Sequence, residues 1–395
     1  MAVLDLDALL AAPGGVRGRR VFVRADLNVP IQDGVVGDDT RIRASLPTLR
    51  RLLEAGARVV LASHLGRPKG KPRPELSLRP VAARLSELLG RPVAFAPDCV
   101  GPVAEQAVAA LRDGELLLLE NLRFHPEEEK NDPAFAEALA ALADAYVNDA
   151  FGTAHRAHAS TAGMVAHVGR VAAGDLLRDE LRHLSVVLDP KRPLLCVLGG
   201  AKVSDKLAVL EALAARADVI AIGGAMAYTF LRAKGQPTGD SLVEPERLDD
   251  ARRVLERARS AGRRLLLPSD HLVARELIEG AETRVVKDIP DGWKGVDIGP
   301  ETAAAYAAEA ARAATIFWNG PMGVFEIAAF AHGTEALAHA VADSSAVSVV
   351  GGGDSLAAVN RLGLGPRITH LSTGGGASLE YVQGLVLPGV AALER

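Results

Sequence analysis

Short runs of Val, Leu and Ile punctuate this chain, and between them lie longer stretches in which apolar positions recur every three to four residues. The first pattern is that of a buried strand, the second that of a helix with one apolar face. In the first half, 20–24, 58–62, 92–95, 116–120 and 145–148 read as strands, and 43–54, 78–89, 102–111 and 133–143 as helices. The second half repeats the habit, with strands at 194–198, 219–222, 264–267, 315–318 and 346–350 and helices at 204–215, 225–234, 245–261, 333–342 and 355–362. Apolar strands alternating with helices predict parallel sheets covered on both faces. The expected fold class is therefore α/β, with two doubly wound parallel-sheet (Rossmann-like) lobes joined by a helical hinge. The N-terminal lobe is expected over 1–171, the hinge over 172–190 around a helical pattern at 175–188, and the C-terminal lobe over 191–384.

Composition narrows the function. The 395 residues amount to two or three domains at ~150 residues each. A hydrophobic share of 49% and a charged share of 24% exclude disorder, collagen and coiled coil as whole-chain readings. A net charge of −4 and 4% aromatics argue against a dedicated nucleic-acid binder. Cys99 and Cys196 are too far apart for a CxxC site, and two cysteines suit a reducing compartment. The acidic N-terminus is a poor secretory signal, and the longest apolar run, 219–231, is shorter than the roughly 20 residues that span a bilayer. The expectation is a cytoplasmic protein with no membrane partner.

In doubly wound sheets ligands sit beyond the carboxyl ends of the strands. In the first half those positions hold RADLNVP (24–30), SHLGR (63–67), ENLRFH (120–125) and NDAFGTAHRAH (148–158). Arg67, Arg123 and Arg156 come from three such loops and are predicted to converge, and converging guanidinium forks bind phosphate or carboxylate. His125, His155 and His158 raise the question of a metal. For His155 and His158 the intervening Arg and the lack of a nearby acidic ligand favour packing or anion contact over zinc. The stretch 41–91 carries twelve Lys/Arg against three Asp/Glu, a solvated face that also suits steering of a polyanion.

The second half places glycines where the first places arginines. Turns at 199–200, 223–224, 320–323, 351–353 and 374–376 follow strands, and several open helices. Strand, glycines, then helix makes a phosphate cradle of bare amides at a positive helix end. Neither GxxxxGK[ST] nor a post-strand GxGxxG is present, which removes the P-loop and dinucleotide fingerprints. Asp354, a poor phosphate ligand by charge, makes sense as a holder of Mg2+. Lys202 and Lys206, four apart, are predicted to share one helix face with an anion between them. Two anion sites on two lobes suggest phosphoryl transfer in a closed, dry site.

RADLNVP, SHLGRP, ENLRFHPEEE, NDAFGTAHRAHAST, GGAKVSDK, WNGPMGVFE, GGGDS and HLSTGGGASLE, in that order from about residue 20 to 390, resemble the phosphoglycerate kinase family. The resemblance implies a monomeric, hinge-closing kinase that exchanges a phosphoryl group between 1,3-bisphosphoglycerate and MgADP, giving 3-phosphoglycerate and MgATP. It implies that Asp26, Leu27 and Asn28 hold the glycerate end. His64, Arg67, Arg123 and Arg156, with Leu65 and Gly66, would grip the phosphate that is not transferred. Arg41, Lys202, Lys206 and Gly375 would be catalytic. Arg41 would stabilise the carboxyl end, the lysines would follow the phosphoryl group, and the 374–376 turn would close over it. Gly352, Gly353, Asp354 and Ser355 would cradle the nucleotide phosphates, with Asp354 on Mg2+. Glu326 would bind the ribose, and Gly224, Gly295 and Asn319 would line the nucleoside pocket. The C-terminal tail, 385–395, would pack back on the first lobe, and Cys99 and Cys196 would be core residues. Ala225, Ser355 and Leu385 depart from the common family pattern. From the residues alone three alternatives stay open: a two-lobed anion-binding protein without chemistry, a structural reuse of the fold, and a kinase for another acyl phosphate such as a carbamate.

Overall fold

The computed structural model describes residues 3–394. Met1, Ala2 and Arg395, at the ends of the expected lobe and tail, lie outside the described residues. The chain divides into two compact units, one running to Arg182 and resumed from Val386, the other His183–Leu385. The division falls inside the helix Asp175–Leu188.

The first unit is built on a six-stranded parallel sheet. Its spatial order is Ala94–Ala96, Leu116–Leu119, Arg58–Ala62, Arg20–Ala25, Ala145–Asp149 and Val171–Ala173. Leu116–Leu119 and Ala145–Asp149 are buried along their whole length. Helices cover both faces of such a sheet, which is why these strands read as unbroken apolar runs. Register then decides where the polar residues go. Arg24 pairs with Ala62 on one side and Asn148 on the other, so three strands end at one level. The loops after them therefore open at one edge. The loop after Leu116–Leu119 joins them through the Leu122 amide, which donates to the Ser63 carbonyl at 3.1 Å. The short helix Pro388–Ala391 belongs to this unit too: the Gly389 amide donates to the Ala154 carbonyl at 2.8 Å, and Asn148 Nδ2 donates to the Gly389 carbonyl at 3.1 Å.

The second unit repeats the scheme in the order Arg264–Leu266, Val219–Ile222, Leu194–Leu198, Thr315–Asn319, Val347–Gly351 and His370–Ser372. Leu198 pairs with Ile222 and Asn319, Asn319 with Gly351, and Gly351 with Ser372. Every glycine turn of this half thus starts from one row.

Several elements had no counterpart in the sequence pattern. Helix Pro300–Arg312 is so rich in Ala that its apolar face carries little contrast. An antiparallel sheet of Thr283–Val286, His271–Ala274 and Lys294–Ile298 sits outside the parallel scheme, and its edge strand Thr283–Val286 is mostly exposed. A two-stranded hairpin, Ile31–Gln32 with Val35–Val36, also escaped the reading. One expectation is corrected. The helix foreseen at 204–215 spans Leu207–Ala214, so Lys202 and Lys206 both precede it and share no helix face. Three turn residues, Val203, Ser204 and Asp205, keep them apart.

Asp297 ties the small sheet to its neighbours. It is 1% exposed, and its carboxylate accepts hydrogen bonds from the Gly333 amide at 2.6 Å and from its neighbour Ile298's amide at 2.9 Å. Burial pushes this carboxyl up to about 7 against those hydrogen bonds. The folded state therefore binds a proton that the unfolded chain releases between about pH 4 and 7. This group's contribution to stability is greatest below pH 4 and declines as pH rises to 7, by up to roughly 4 kcal/mol. Asp297→Asn is expected to flatten that decline, measured as urea-unfolding midpoints at pH 5 and pH 8.

Candidate active site

Beneath the loops of the first unit lies a buried guanidinium. Arg24 is fully buried at the end of its strand. Its Nε donates to Ser160 Oγ at 2.9 Å, its Nη1 to the carbonyl of Ala25, and its Nη2 faces His64 Nδ1 at 3.2 Å. Arginine has only donors, so His64 Nδ1 accepts and the ring proton of neutral His64 sits on Nε2. Glu128, also fully buried, accepts from Ser160 Oγ at 2.6 Å and from the Ser160 amide at 3.0 Å. Burial pushes the Glu128 carboxyl up, while the Arg24 charge and the Ser160 hydrogen bonds pull it down.

The two histidines report the surrounding field. Burial depresses His64 well below the ordinary imidazole range, and Arg24, Arg123, Arg41 and His158 depress it further. Burial likewise brings His158 to about 4, helped by Arg123, Arg24, Arg156 and His155. Four guanidinium groups from separate elements, Arg24 on a strand, Arg41 on the helix Thr40–Glu54, and Arg123 and Arg156 on turns, therefore bear on two uncharged imidazoles, a concentration of positive charge that calls for an anion.

Of the expected clamp, His64, Arg41, Arg123 and Arg156 stand in this field. Arg67 is exposed and is not among the charges acting on either histidine. Asp26 holds Arg41 through a 2.5 Å ion pair. Asn28 Oδ1 accepts from the Gly66 amide at 2.9 Å, joining two loops, and Arg123 Nη1 donates to the Gly66 carbonyl at 2.9 Å. Gly66 has φ +61°, where a side chain strains the backbone, and a Cβ there would also displace the Leu76 side chain 2.7 Å away. Leu27 and Leu65 are buried; their amides are anchored by Ser63 Oγ at 2.8 Å and Asn121 Oδ1 at 3.2 Å. Sequence reasoning passed over Arg24, Glu128 and Ser160 as site residues. The available signal was an arginine closing an otherwise apolar strand.

In the second unit, Gly224, Gly295, Glu326 and Asp354, with Tyr228 and Met322, line a cavity of about 200 Å³. Glycine is required in its wall. A Cβ on Gly295 would collide with the Tyr228 hydroxyl, and one on Gly224, at φ +66°, would come within 2.6 Å of the Gly200 amide nitrogen. Tyr228 and Met322 were not foreseen; Tyr228 lies a few residues beyond the 223–224 turn and Met322 within the 320–323 turn, where an apolar wall is to be expected. Ala225, one of the departures, lines the same cavity.

Asn319, Lys206 and the 352–355 turn adjoin this cavity through Asp354. Lys206 Nζ donates to Asn319 Oδ1, while Asn319 Nδ2 is buried with no partner among the described residues. Burial lowers the Lys206 ammonium to about 8, opposed by Asp354 and Asp205. Gly352, at φ +90°, precedes the helix Gly353–Arg361, whose first amides have no intrahelical acceptor. Ser355 Oγ accepts from the Gly320 amide at 2.7 Å and ties two glycine turns together. Lys202 is exposed and bears on Glu244. Gly375, at φ +55° and ψ −117°, precedes the helix Gly376–Val382 in a conformation only glycine adopts readily.

Two α/β units, each with a parallel sheet, one gathering guanidinium groups and the other glycine turns around a half-buried lysine, suit phosphate-bearing small molecules. The family model for phosphoglycerate kinase matches residues 13–385. The curated phosphoglycerate kinase of Anaeromyxobacter dehalogenans is 57% identical over 401 residues, covering all of both chains. That of Moorella thermoacetica is 57% identical over 381 residues, covering 96% of this chain and 97% of its own. The solved phosphoglycerate kinase of Coxiella burnetii superposes with a TM-score of 0.90 at 43% identity, covering 99% of each chain. The chain belongs to the phosphoglycerate kinase family, and it is a kinase.

The Arg24–Ser160–Glu128 network yields a stability prediction. Removing one charge from a buried, hydrogen-bonded pair costs about 3 kcal/mol or more. Glu128→Ala is expected to lower unfolding free energy by about that amount, and Glu128→Gln, which still accepts from the Ser160 amide, by less. The Arg24→Met, Glu128→Met pair should be less unstable than the sum of its single changes, measured by a denaturation double-mutant cycle.

Proposed function

We propose that the chain catalyses the reversible transfer of the acyl phosphoryl group of 1,3-bisphosphoglycerate to MgADP, giving 3-phosphoglycerate and MgATP. Lys206 is the observation that carries this reading: a partly buried ammonium bonded to a neutral carboxamide, with no ion-paired carboxylate among the described residues. Such a group wants an anion, and it lies where glycine turns leave space for phosphates.

A terminal β-phosphate oxygen of ADP attacks the acyl phosphorus. The bond from phosphorus to the carboxyl oxygen breaks, and the carboxylate leaves with its electron pair. Both oxygens are already ionised, so no general base is needed. Catalysis rests on positioning and charge stabilisation. In this reading His64, Arg123 and Arg156 hold the distant phosphate, joined by Arg67 when it turns inward. His64 donates from Nε2. Arg41, steered by Asp26, faces the carboxyl end, and Asn28 the hydroxyl. Lys206 follows the transferring group, Lys202 supplies longer-range positive charge, and Gly375 shapes a turn over it. The free amides of Gly353, Asp354 and Ser355 and the unpaired Asn319 Nδ2 meet nucleotide phosphates. Glu326 takes the ribose, and the Gly224 and Gly295 wall takes the base.

Mg2+ enters as part of the nucleotide substrate. Asp354 fits it: one exposed carboxylate at the phosphate turn suits an ion that takes its other ligands from phosphates and water. Transfer requires the ligands of the two units to meet in line, so the reading includes closure about the Asp175–Leu188 connection. It also includes a monomer, because one chain carries both half-sites. The free Cys99 and Cys196 suit the reducing cytoplasm, where glycolysis runs.

The direct test is turnover of 3-phosphoglycerate with ATP and Mg2+, read through NADH oxidation by added glyceraldehyde-phosphate dehydrogenase. Lys206→Ala is expected to lower kcat at least about 100-fold with a smaller change in nucleotide KM. Arg156→Ala is expected to raise the KM for 3-phosphoglycerate about tenfold or more while kcat changes little. The Lys206 value of about 8 predicts that kcat/KM falls above pH 8 as the ammonium loses its proton, and that Lys206→Arg removes this limb from the pH profile. No turnover by folded, nucleotide-binding protein would reassign the substrate to another acyl phosphate, such as that of a carbamate, or the chain to a non-catalytic role.

A further inference from the structure

Asp98, Cys99 and His125 bring a carboxylate oxygen, a thiol sulfur and an imidazole nitrogen within 4.8 Å of one another. His125 lies 26 positions beyond Cys99 in sequence, but the strands they follow are adjacent in the sheet. Asp98 and Cys99 follow the strand Ala94–Ala96, and His125 ends the turn after Leu116–Leu119, its hydrogen-bonded neighbour. His125 Nε2 lies 2.7 Å from Asp98 Oδ1, so one proton is shared where three ligand types meet. Neither residue belongs to the anion clamp or the nucleotide cavity.

We propose that Asp98, Cys99 and His125 form a binding site for a divalent cation of the zinc class. The donor set selects the metal: sulfur and imidazole nitrogen suit Zn2+ and disfavour Mg2+ and Ca2+. Tetrahedral ligation places donor atoms roughly 3.5 Å apart. The 2.7 Å His–Asp contact must open by roughly an ångström and the wider contacts must close, side-chain adjustments rather than backbone ones. On binding, the thiol proton of Cys99 passes to water, and His125 keeps its single ring proton on the nitrogen turned away from the metal. A sulfur–metal bond forms as the sulfur–hydrogen bond breaks, with no redox change. Thiolate, carboxylate and neutral imidazole then balance the +2 charge, so no net charge is buried.

Asp98 and His125 line a cavity of about 800 Å³, with Glu120 on its wall, which supplies an entry path and room for a water as fourth ligand. Cys99 itself is buried, so the ion would close the floor of that cavity.

Metal-stripped, untagged, nucleotide-free protein is titrated with Co2+ as an optical stand-in for Zn2+. One equivalent is expected to produce a near-ultraviolet thiolate-to-cobalt absorption that added Zn2+ abolishes. Cobalt held by Asp354 has no sulfur ligand and gives no such band. The band should vanish in Cys99→Ser, persist in Cys196→Ser, and weaken at least about tenfold in affinity in His125→Ala. Zn2+ should raise the Tm of the wild type and leave that of His125→Ala unmoved. Absence of the band, a band carried by Cys196, or an affinity unchanged in His125→Ala overturns the proposal. Where Cys99→Ser does not fold, the His125→Ala and Asp98→Asn titrations decide it by the same criterion.

Discussion

Parallel pairing in register is the constraint on which everything else depends. When every strand of a sheet runs the same way and neighbours end at the same level, the loops that follow them open along one edge. In the first unit Arg24, Ala62 and Asn148 stand abreast; in the second, Leu198, Ile222, Asn319, Gly351 and Ser372 do. Neither row is contiguous in sequence. Hydrogen-bonded strands make each one a single surface, and chemistry is assembled from loops that are otherwise far apart.

That convergence creates an electrostatic problem in the first unit. Four guanidinium groups near one another repel, and Arg24 is fully buried among them. The unit manages this in three ways. Glu128 places a carboxyl beneath the cluster, bridged to Arg24 by Ser160. His64 and His158 are driven neutral, so they add hydrogen-bonding capacity without charge. Asp26 and Glu129 pair with Arg41 and Arg123 at the rim. What remains is a site held rigid by its own polar network, with surplus positive charge that a phosphate would satisfy.

In the proposed reading the second unit meets its ligand with backbone instead of side chains. Glycines at the strand ends let chain segments approach within distances that any Cβ would forbid, as at Gly224 against Gly200. Bare amides and one helix start then face the same space as Lys206 and Asp354. The division of labour is physical: fixed forks suit an anion that stays put, and a flexible ammonium suits a group that moves.

Much of this was legible along the chain because both sheets are buried on both faces. Their strands appear as apolar runs, and the strands 58–62, 194–198 and 219–222 lie at the residues the pattern indicated. The arginine-bearing and glycine-bearing loops followed from strand ends, and the ordered motifs carried the family. Tertiary structure alone decided the rest. The antiparallel sheet was hidden because its outer strand is solvated and shows no apolar run. The helix start at Leu207 separated Lys202 from Lys206, since spacing cannot tell a turn from a helix. Arg24 and Glu128 looked like ordinary charges until burial made them partners. Cys99 and His125 looked unrelated until neighbouring strands set them side by side. Sequence determines which residues can become strands, turns and anion ligands; which charges share one buried volume depends on pairing between distant segments, and only the folded chain supplies it.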